Sequence, residues 1–389
     1  MSEIKVNSIK GVAASTAALT INNTDGTCTA NITNNLSNRR LTINGAMTIA
    51  QRGTSSTSSG FYTVDRFKIT NTGTDESPTQ AQVDVASGTT PYTSGFRKAL
   101  KVTNGNQTGG AGAADFIWIQ HIIEAQNIAT SGWNYTSSSS NITLSFWIKS
   151  SVAQDFKGYL RSRDGTNYEY PFATGSLSAD TWTKVTKTIP GNSNITINND
   201  NEAGLEINLF PFLGTDRTDS GVTENAWATY NSAGRTKDNT STWYTTNDAT
   251  LEITGVQLEV GSVATDFEHR SFGDELLKCQ RYYQEVVNGN SQTLGIGHSY
   301  SSTEIDVVIP FKTTMRSTPS LEQSSGANYF VAVGLPDSNV NVDGSWVIFA
   351  ATTFCTLIYA TPDASITAGN TKYVRTSNAS ASIAFSSEL

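Results

Sequence analysis

The chain has 389 residues, 34 of them Asp or Glu and 26 Lys or Arg, for a formal net charge of −8 at pH 7. This balance lacks the basic footprint of a nucleic-acid-binding protein, and no apolar run approaches the ~18 residues of a membrane-spanning helix, so membrane insertion is not expected. Charged residues make up 15% of the chain, below the usual quarter or so; Ser, Thr, Asn and Gly take their place, which suits exposed strands and tight turns.

The length allows two or three domains. Residues 1–42 hold three sparse apolar patches, Ile4-Val6-Ile9, Leu19-Ile21 and Ile32-Leu36, in a Thr-, Asn- and Ala-rich background. They cannot build a core of their own. The segment reads as an extended arm with short strands, ordered by docking on a partner or on sister chains. Its opening, MSEIKVNSIK, is polar, and no secretory leader is expected.

Residues 43–270 read as one large β domain. Period-2 alternation predicts strands at 41–51, 62–69, 79–85, 99–103, 116–124, 142–150, 156–163, 182–189, 203–212 and 250–260. Ile142, Leu144, Phe146 and Ile148 face one way in their run. Leu205, Ile207, Leu209 and Pro211 oppose Glu206, Asn208 and Phe210 in theirs. Asp164-Gly165, Asn104-Gly105, Ser59-Gly60 and Ser131-Gly132 supply turns. With no helical period between the strands, an antiparallel sandwich is expected. Gly255 interrupts the 250–260 run and predicts a bulge or a close backbone approach. Trp118, Phe146, Trp147 and Trp182, being in strands, are expected in the core. The gap from 213 to 249 lacks alternation, and loops of that length inside a domain are often functional. Its Trp227, Tyr230, Trp243 and Tyr244, with Trp133 and Tyr135 upstream, are candidates to stack on the C–H face of a sugar ring, neighbouring Asn and Asp serving its hydroxyls.

A helix follows. Ser271, three residues before Asp274, carries an N-cap signature. Leu276, Cys279 or Gln280, Tyr283 and Val287 then recur at helical spacing, so one linker helix is expected across 271–289. Residues 290–389 repeat the β pattern on a smaller scale. Ile305, Val307 and Ile309 alternate, as do Val347, Phe349 and Ala351; a small C-terminal β-sandwich is expected.

Signals for catalysis are sparse. His121, His269 and His298 lie far apart, with no HExxH spacing and no GxSxG elbow. Close carboxylate pairs carry little information in a β domain with 34 acids. No catalytic residue, no cofactor and no enzymatic activity are expected. Cys28, Cys279 and Cys355 are odd in number and lack CxxC spacing, so three reduced thiols are expected, with neither a disulfide framework nor a zinc site.

Several strings resemble segments recurrent in bacteriophage tail fibre and tail-associated proteins. They are INGAMTIAQRG (43–53), FYTVDRF (61–67), GVQLEVGSVATDFEHRSFGDELLKCQRYYQ (255–284), IPFKTTMRSTPSL (309–321) and ASIAFSSEL (381–389). The resemblance implies a carbohydrate-module-like jelly roll over 43–270, followed by the helix and the small β domain, with a virion-attachment arm at 1–42. It implies a tail fibre protein, made in the host cytoplasm and carried on the phage tail. Such a protein joins other tail proteins through its arm and adheres to the host surface, to a glycan or a protein. A tail adaptor or decoration protein that binds only virion proteins is the alternative, and a glycan-degrading tail-spike enzyme a third reading. Such jelly rolls often hold a calcium ion; Asp65, Glu252, Glu259 and Asp266 are weak candidates for it, set against solvation or pairing with Arg52, Arg66 or Arg270. The resemblance also implies a homotrimer. Leu276, Leu277, Tyr283 and Val287 are its candidate contacts, because a lone four-turn helix is marginal in water.

Overall fold

The computed structural model describes residues 38–337 and 339–389, together with residues 6, 8–9, 19–21, 24 and 28–30. In the arm, β1 (Ser8–Ile9), β2 (Leu19–Ile21) and β3 (Cys28–Ala30) form a three-stranded antiparallel sheet. The short strands expected there thus pair with one another. Ile4 and the 32–36 patch lie outside the described residues, as does the side chain of Cys28.

The large domain contains β4 (Ser55–Ser56), β5 (Lys68–Thr72), β6 (Thr79–Asp84), the one-turn helix α1 (Thr90–Thr93), β7 (Lys98–Thr103), β8 (Phe116–Glu124) and the short helix α2 (Ala125–Ala129). It continues with β9 (Asn141–Ser150), β10 (Lys157–Ser162), β11 (Tyr168–Ala173), β12 (Thr183–Pro190), β13 (Ala203–Leu213), β14 (Ala228–Thr229) and β15 (Thr250–Val260). These strands make two six-stranded antiparallel sheets, a jelly-roll sandwich as expected. The front sheet runs β14-β11-β10-β13-β8-β5 and the back sheet β12-β9-β15-β7-β6-β4. Ile142, Leu144, Phe146 and Ile148 of the back sheet meet Leu205, Ile207 and Leu209 of the front sheet in one core. Each such buried side chain contributes about 1.5–3 kcal/mol.

Gly255 behaves as expected. Its φ is +65°, the β15 register slips between Thr254 and Gln257, and an added Cβ would come within 2.7 Å of the Phe96 ring.

The expected strand at 41–51 is absent, and the one at 62–69 starts only at Lys68, as β5. Residues 41–51 and 62–67 form loops in which Asn44, Met47 and Arg66 take positive φ. Side chains replace the ladder there: Asn44 donates to the Ile49 and Asp65 carbonyls, and Asp65 accepts from the Gln51 N–H. The strand β11 lies outside the expected set and carries Pro171 within it; its outer neighbour β14 is only two residues long.

The linker helix is shorter than expected. The Ser271 hydroxyl accepts from the Asp274 N–H as read, but α3 spans only Phe272–Gln280. Residues 283–288 form β16 (Tyr283–Asn288), paired with Ser382–Ser386. The four-residue spacing of Tyr283 and Val287 fits a strand as well as a helix, and the β-forming Tyr-Tyr and Val-Val pairs favour the strand.

The small domain continues with β17 (Thr293–Ser301), β18 (Glu304–Pro310), β19 (Ser320–Ser324), β20 (Phe330–Val333), β21 (Val340–Val342), β22 (Val347–Ala351), β23 (Cys355–Ala360), β24 (Thr371–Thr376) and β25 (Ser382–Ser386). A three-stranded sheet, β16-β25-β19, and a seven-stranded sheet, β21-β20-β24-β17-β18-β23-β22, enclose a second core with Ile305, Val307, Phe330, Ile358 and Phe385.

Candidate functional site

The strings that resemble tail proteins converge on one place, the junction between the domains. Arg66 is buried, forms an ion pair with Glu388, donates to the Ile122 carbonyl at 2.8 Å and lies 3.4 Å over the Tyr282 ring. Burial opposes its charge, and Glu388 outweighs that effect, so its pKa stands above the ordinary guanidinium value. Arg52 meets Glu388 at 3.2 Å and lies 3.5 Å over the Tyr283 ring. Glu124 accepts from Arg281 at 2.7 and 2.8 Å and from the Tyr282 hydroxyl. Arg40 pairs with Glu275, and Arg316 donates to the carbonyls of Ser387 and Asn201 at 2.7 and 3.0 Å. Most of these polar groups are satisfied by one another, so the junction is a structural lock rather than an open site.

The calcium candidates do not meet. Asp65 is held by Gln51, and burial raises its pKa to about 6. Glu252 pairs with Lys149 at 3.0 Å and Glu259 with Arg39 at 3.3 Å. Asp266 is exposed, and its carbonyl accepts from Arg39. The expected arginine partners Arg52 and Arg66 serve Glu388 instead.

The long loop folds onto the front sheet. Trp243 is fully buried against Phe156, and Tyr244 stacks on Phe212 at 4.1 Å with its hydroxyl donating to Asp115. Trp133 is also buried, with Tyr135 packed edge to face against it. Trp227 is half-buried, its indole N–H bonded to the Pro190 carbonyl at 2.7 Å. Tyr230 lies under Arg161 at 3.5 Å, and Arg235 covers Trp118 at 5.0 Å. Burial takes Trp133, Trp243 and Tyr244 out of reach of a sugar ring, which corrects the expectation for those three; Tyr135, Trp227 and Tyr230 are half-buried against their own loops. Beneath this roof, burial raises the Glu169 pKa to about 8.

The accessible site is on the opposite sheet. Phe146 points inward, so the two-residue alternation turns its neighbour Trp147 outward. Trp147 is half-buried on the outer face of β9 beside Lys184 of β12. Trp182 is likewise half-buried, with Lys149 5.2 Å over its ring. A cleft of about 480 Å³ opens there, lined by Trp147, Phe96, Phe267, Lys184, Thr265 and His269 among others. Phe96 and Phe267 meet edge to face at 4.8 Å, and His269 closes one end by bonding the Ser94 carbonyl at 3.0 Å. Lys184 has no ion-pair partner among the described residues. The volume lies within the ~300–1,000 Å³ range of small-ligand sites. An aromatic floor with ammonium, hydroxyl and carbonyl groups around it can hold a polyhydroxylated ring by stacking and peripheral hydrogen bonds. The sequence held the signal: strict alternation sends Trp147 away from the core side of Phe146 and Ile148.

The expected trimer contacts are divided. Tyr283 and Val287 are buried within their own chain, Leu276 is half-buried, and Leu277 is 48% exposed. The β16 register slips between Glu285 and Val287 and parts the two side chains: Tyr283 lies under Arg52, and Val287 enters the core of the small domain.

No family model matches the chain, and no curated protein matches it. Among solved structures it is similar to the enzymatically active domain of tailspike protein 4 of bacteriophage CBA120, at 9% identity and a TM-score of 0.30, over 57% of this chain and 22% of that one. It is similar to the N-terminal cellulose-binding domain of β-1,4-glucanase C from Cellulomonas fimi, at 13% identity and a TM-score of 0.26, over 56% of this chain and 99% of that one. A family 11 carbohydrate-binding module from Clostridium thermocellum, in complex with a β-1,3-1,4-mixed-linked tetrasaccharide, matches at 11% identity and a TM-score of 0.24, over 56% and 98%. These likenesses are slight.

Proposed function

We propose that the chain is a structural and adhesive protein of a bacteriophage tail, attached to the virion through residues 1–42, that holds a host-surface glycan in the cleft over Trp147. The observation that carries this reading is the cleft itself, an open hollow with a half-buried indole in its wall and, at its rim, a Lys184 without an ion-pair partner among the described residues. The tail assignment draws on the resemblance, whose strings form the domain junction.

Two domains locked at that junction would transmit a pull from the bound surface to the arm without hinging. The test is binding of the purified protein to host surface polysaccharide by calorimetry, with Trp147→Ala in parallel. Loss of one stacking contact should weaken binding roughly tenfold, about 1.4 kcal/mol, with the fold retained by circular dichroism. Equal binding by the variant would remove the cleft from the mechanism. A protein that joins particles yet binds no glycan would be the adaptor of the second reading, and release of reducing ends would make it an enzyme.

A further inference from the structure

An antiparallel sheet with one face on a core usually shows a polar face to water. The seven-stranded sheet does not. Ile305, Val307, Ile358 and Val374 point into the core. The other face presents Ile296, Tyr300, Val308, Val347, Phe349 and Tyr373 to solvent, with Ile296 71%, Val308 56% and Phe349 73% exposed.

Register brings these side chains together. Ile296 stands opposite Tyr373, Val308 opposite Leu357 and Val347 opposite Tyr359. Phe349 meets Tyr359 edge to face at 6.5 Å. The cause is in the sequence. Val307-Val308 and Val347-Ile348-Phe349 place apolar residues on both faces in succession, the pattern of strands buried on two sides. Phe349 lies in a bulge between Ile348 and Ala350, and Ile348 alone of that strand's apolar run packs toward the core. Val347 and Phe349, which alternate in the sequence, thus point out.

The six side chains expose roughly 750 Å², above the ~300–600 Å² of a typical monomer's largest apolar patch and close to the ~800 Å² one partner gives to a standard interface. Within the patch His298 of β17 stands opposite Asp306 of β18. The Asp306 Oδ1 atom is buried and has no hydrogen-bond partner among the described residues. That pair lies within one chain and its unpartnered oxygen is out of reach from outside, so the complementarity of the face rests on its flat apolar row, which can pack on the same row of a second copy.

We propose that sister copies of this chain join through this face, packing the Ile296, Val308 and Phe349 row against its counterpart. This moves the expected assembly surface from α3 to the small domain, and it stands independently of the glycan cleft.

The test is the mass of the full chain by light scattering at micromolar concentration. The wild-type protein should run as a multiple of 41.7 kDa. Val308→Glu and Phe349→Glu, both at exposed positions, should weaken association at least tenfold while circular dichroism and the melting temperature hold. Leu277→Asp should leave the mass unchanged. A wild-type monomer of 41.7 kDa would overturn the proposal. So would an assembly that survives Val308→Glu and Phe349→Glu but falls to Leu277→Asp.

Discussion

Replacing Glu388 with Ala should destabilise the protein far more than an ordinary surface substitution. The carboxylate is itself mostly buried, and it neutralises Arg66, whose side chain is 1% exposed, and Arg52, whose side chain is 8% exposed. Its removal leaves a buried guanidinium whose other partners are the Ile122 carbonyl and the Tyr282 ring. Breaking one side of a buried pair costs about 3–5 kcal/mol. With a urea m-value of ~2–3 kcal/mol/M, the unfolding midpoint should fall by about 1–2 M. Trp346 is the tryptophan of residues 290–389, so comparison with Trp346→Phe separates the small domain's fluorescence from the rest. In the wild type the two domains should unfold together, and in Glu388→Ala the small domain should leave first. Arg66→Met combined with Glu388→Met should recover part of the loss, since it removes the stranded Arg66 charge while Arg52 keeps Glu322 at 3.7 Å. A loss below ~1 kcal/mol for Glu388→Ala would refute the claim that this ion pair locks the junction, because it would place the pair in the range of surface salt bridges.

Further outcomes are expected. His121 is buried, and burial with the nearby Arg66 charge lowers its pKa to about 3. The folded pKa lies below the unfolded value of ~6.5, so its contribution is full above pH ~6.5 and is lost as pH falls toward 3, at up to about 1.4 kcal/mol per pH unit. His121→Gln should flatten that slope in denaturant titrations from pH 7 to 4. Asp65 and Glu169, raised to about 6 and about 8, act with the opposite sign but are common to both proteins and cancel in the difference; identical slopes would contradict the assignment. Gly255→Ala should lower stability by ~1–3 kcal/mol, because its φ is +65° and Phe96 occupies the Cβ position; an unchanged melting temperature would count against that reading. Cys279 is buried and its thiol is pushed well above the ordinary range, so it should resist thiol reagents until the chain unfolds, when three groups should titrate; one group would reveal a disulfide. Deleting residues 1–37 should leave a folded protein that no longer enters virions, and incorporation of the deleted form would remove the attachment role.

Alternation made much of the fold legible. Ile142, Leu144, Phe146 and Ile148 lie in the core as their spacing requires, and the Gly255 bulge and Ser271 cap are where the residues place them. What escaped was set by contacts between distant segments. Residues 41–51 and 62–67 look like strands, yet the Asn44 N–H donates to Glu275, Asp65 accepts from Gln51 and Arg66 pairs with Glu388, contacts that no local pattern encodes. Trp147 shows a different failure. Aromatic residues in strands were assigned to the core by type, although the two-residue period already turned this one outward. The loop aromatics failed in reverse: Trp243 and Tyr244 lack periodicity but are buried because the loop folds over Phe156 and Phe212.

The pairing of Arg66 with Glu388 also sets a clock. The two residues are separated by 322 positions. At ~5–20 residues per second, a ribosome adds the carboxylate roughly 15–65 s after the guanidinium. During that interval the 43–66 segment must keep Arg66 in water, since burying it alone would be costly. The jelly roll can therefore assemble its two-sheet core during synthesis, but this flank must stay open. Closure waits for residues 386–388 to arrive, so a nascent chain interrupted anywhere in the small domain would retain an unlocked flank that chaperones or proteases can recognise.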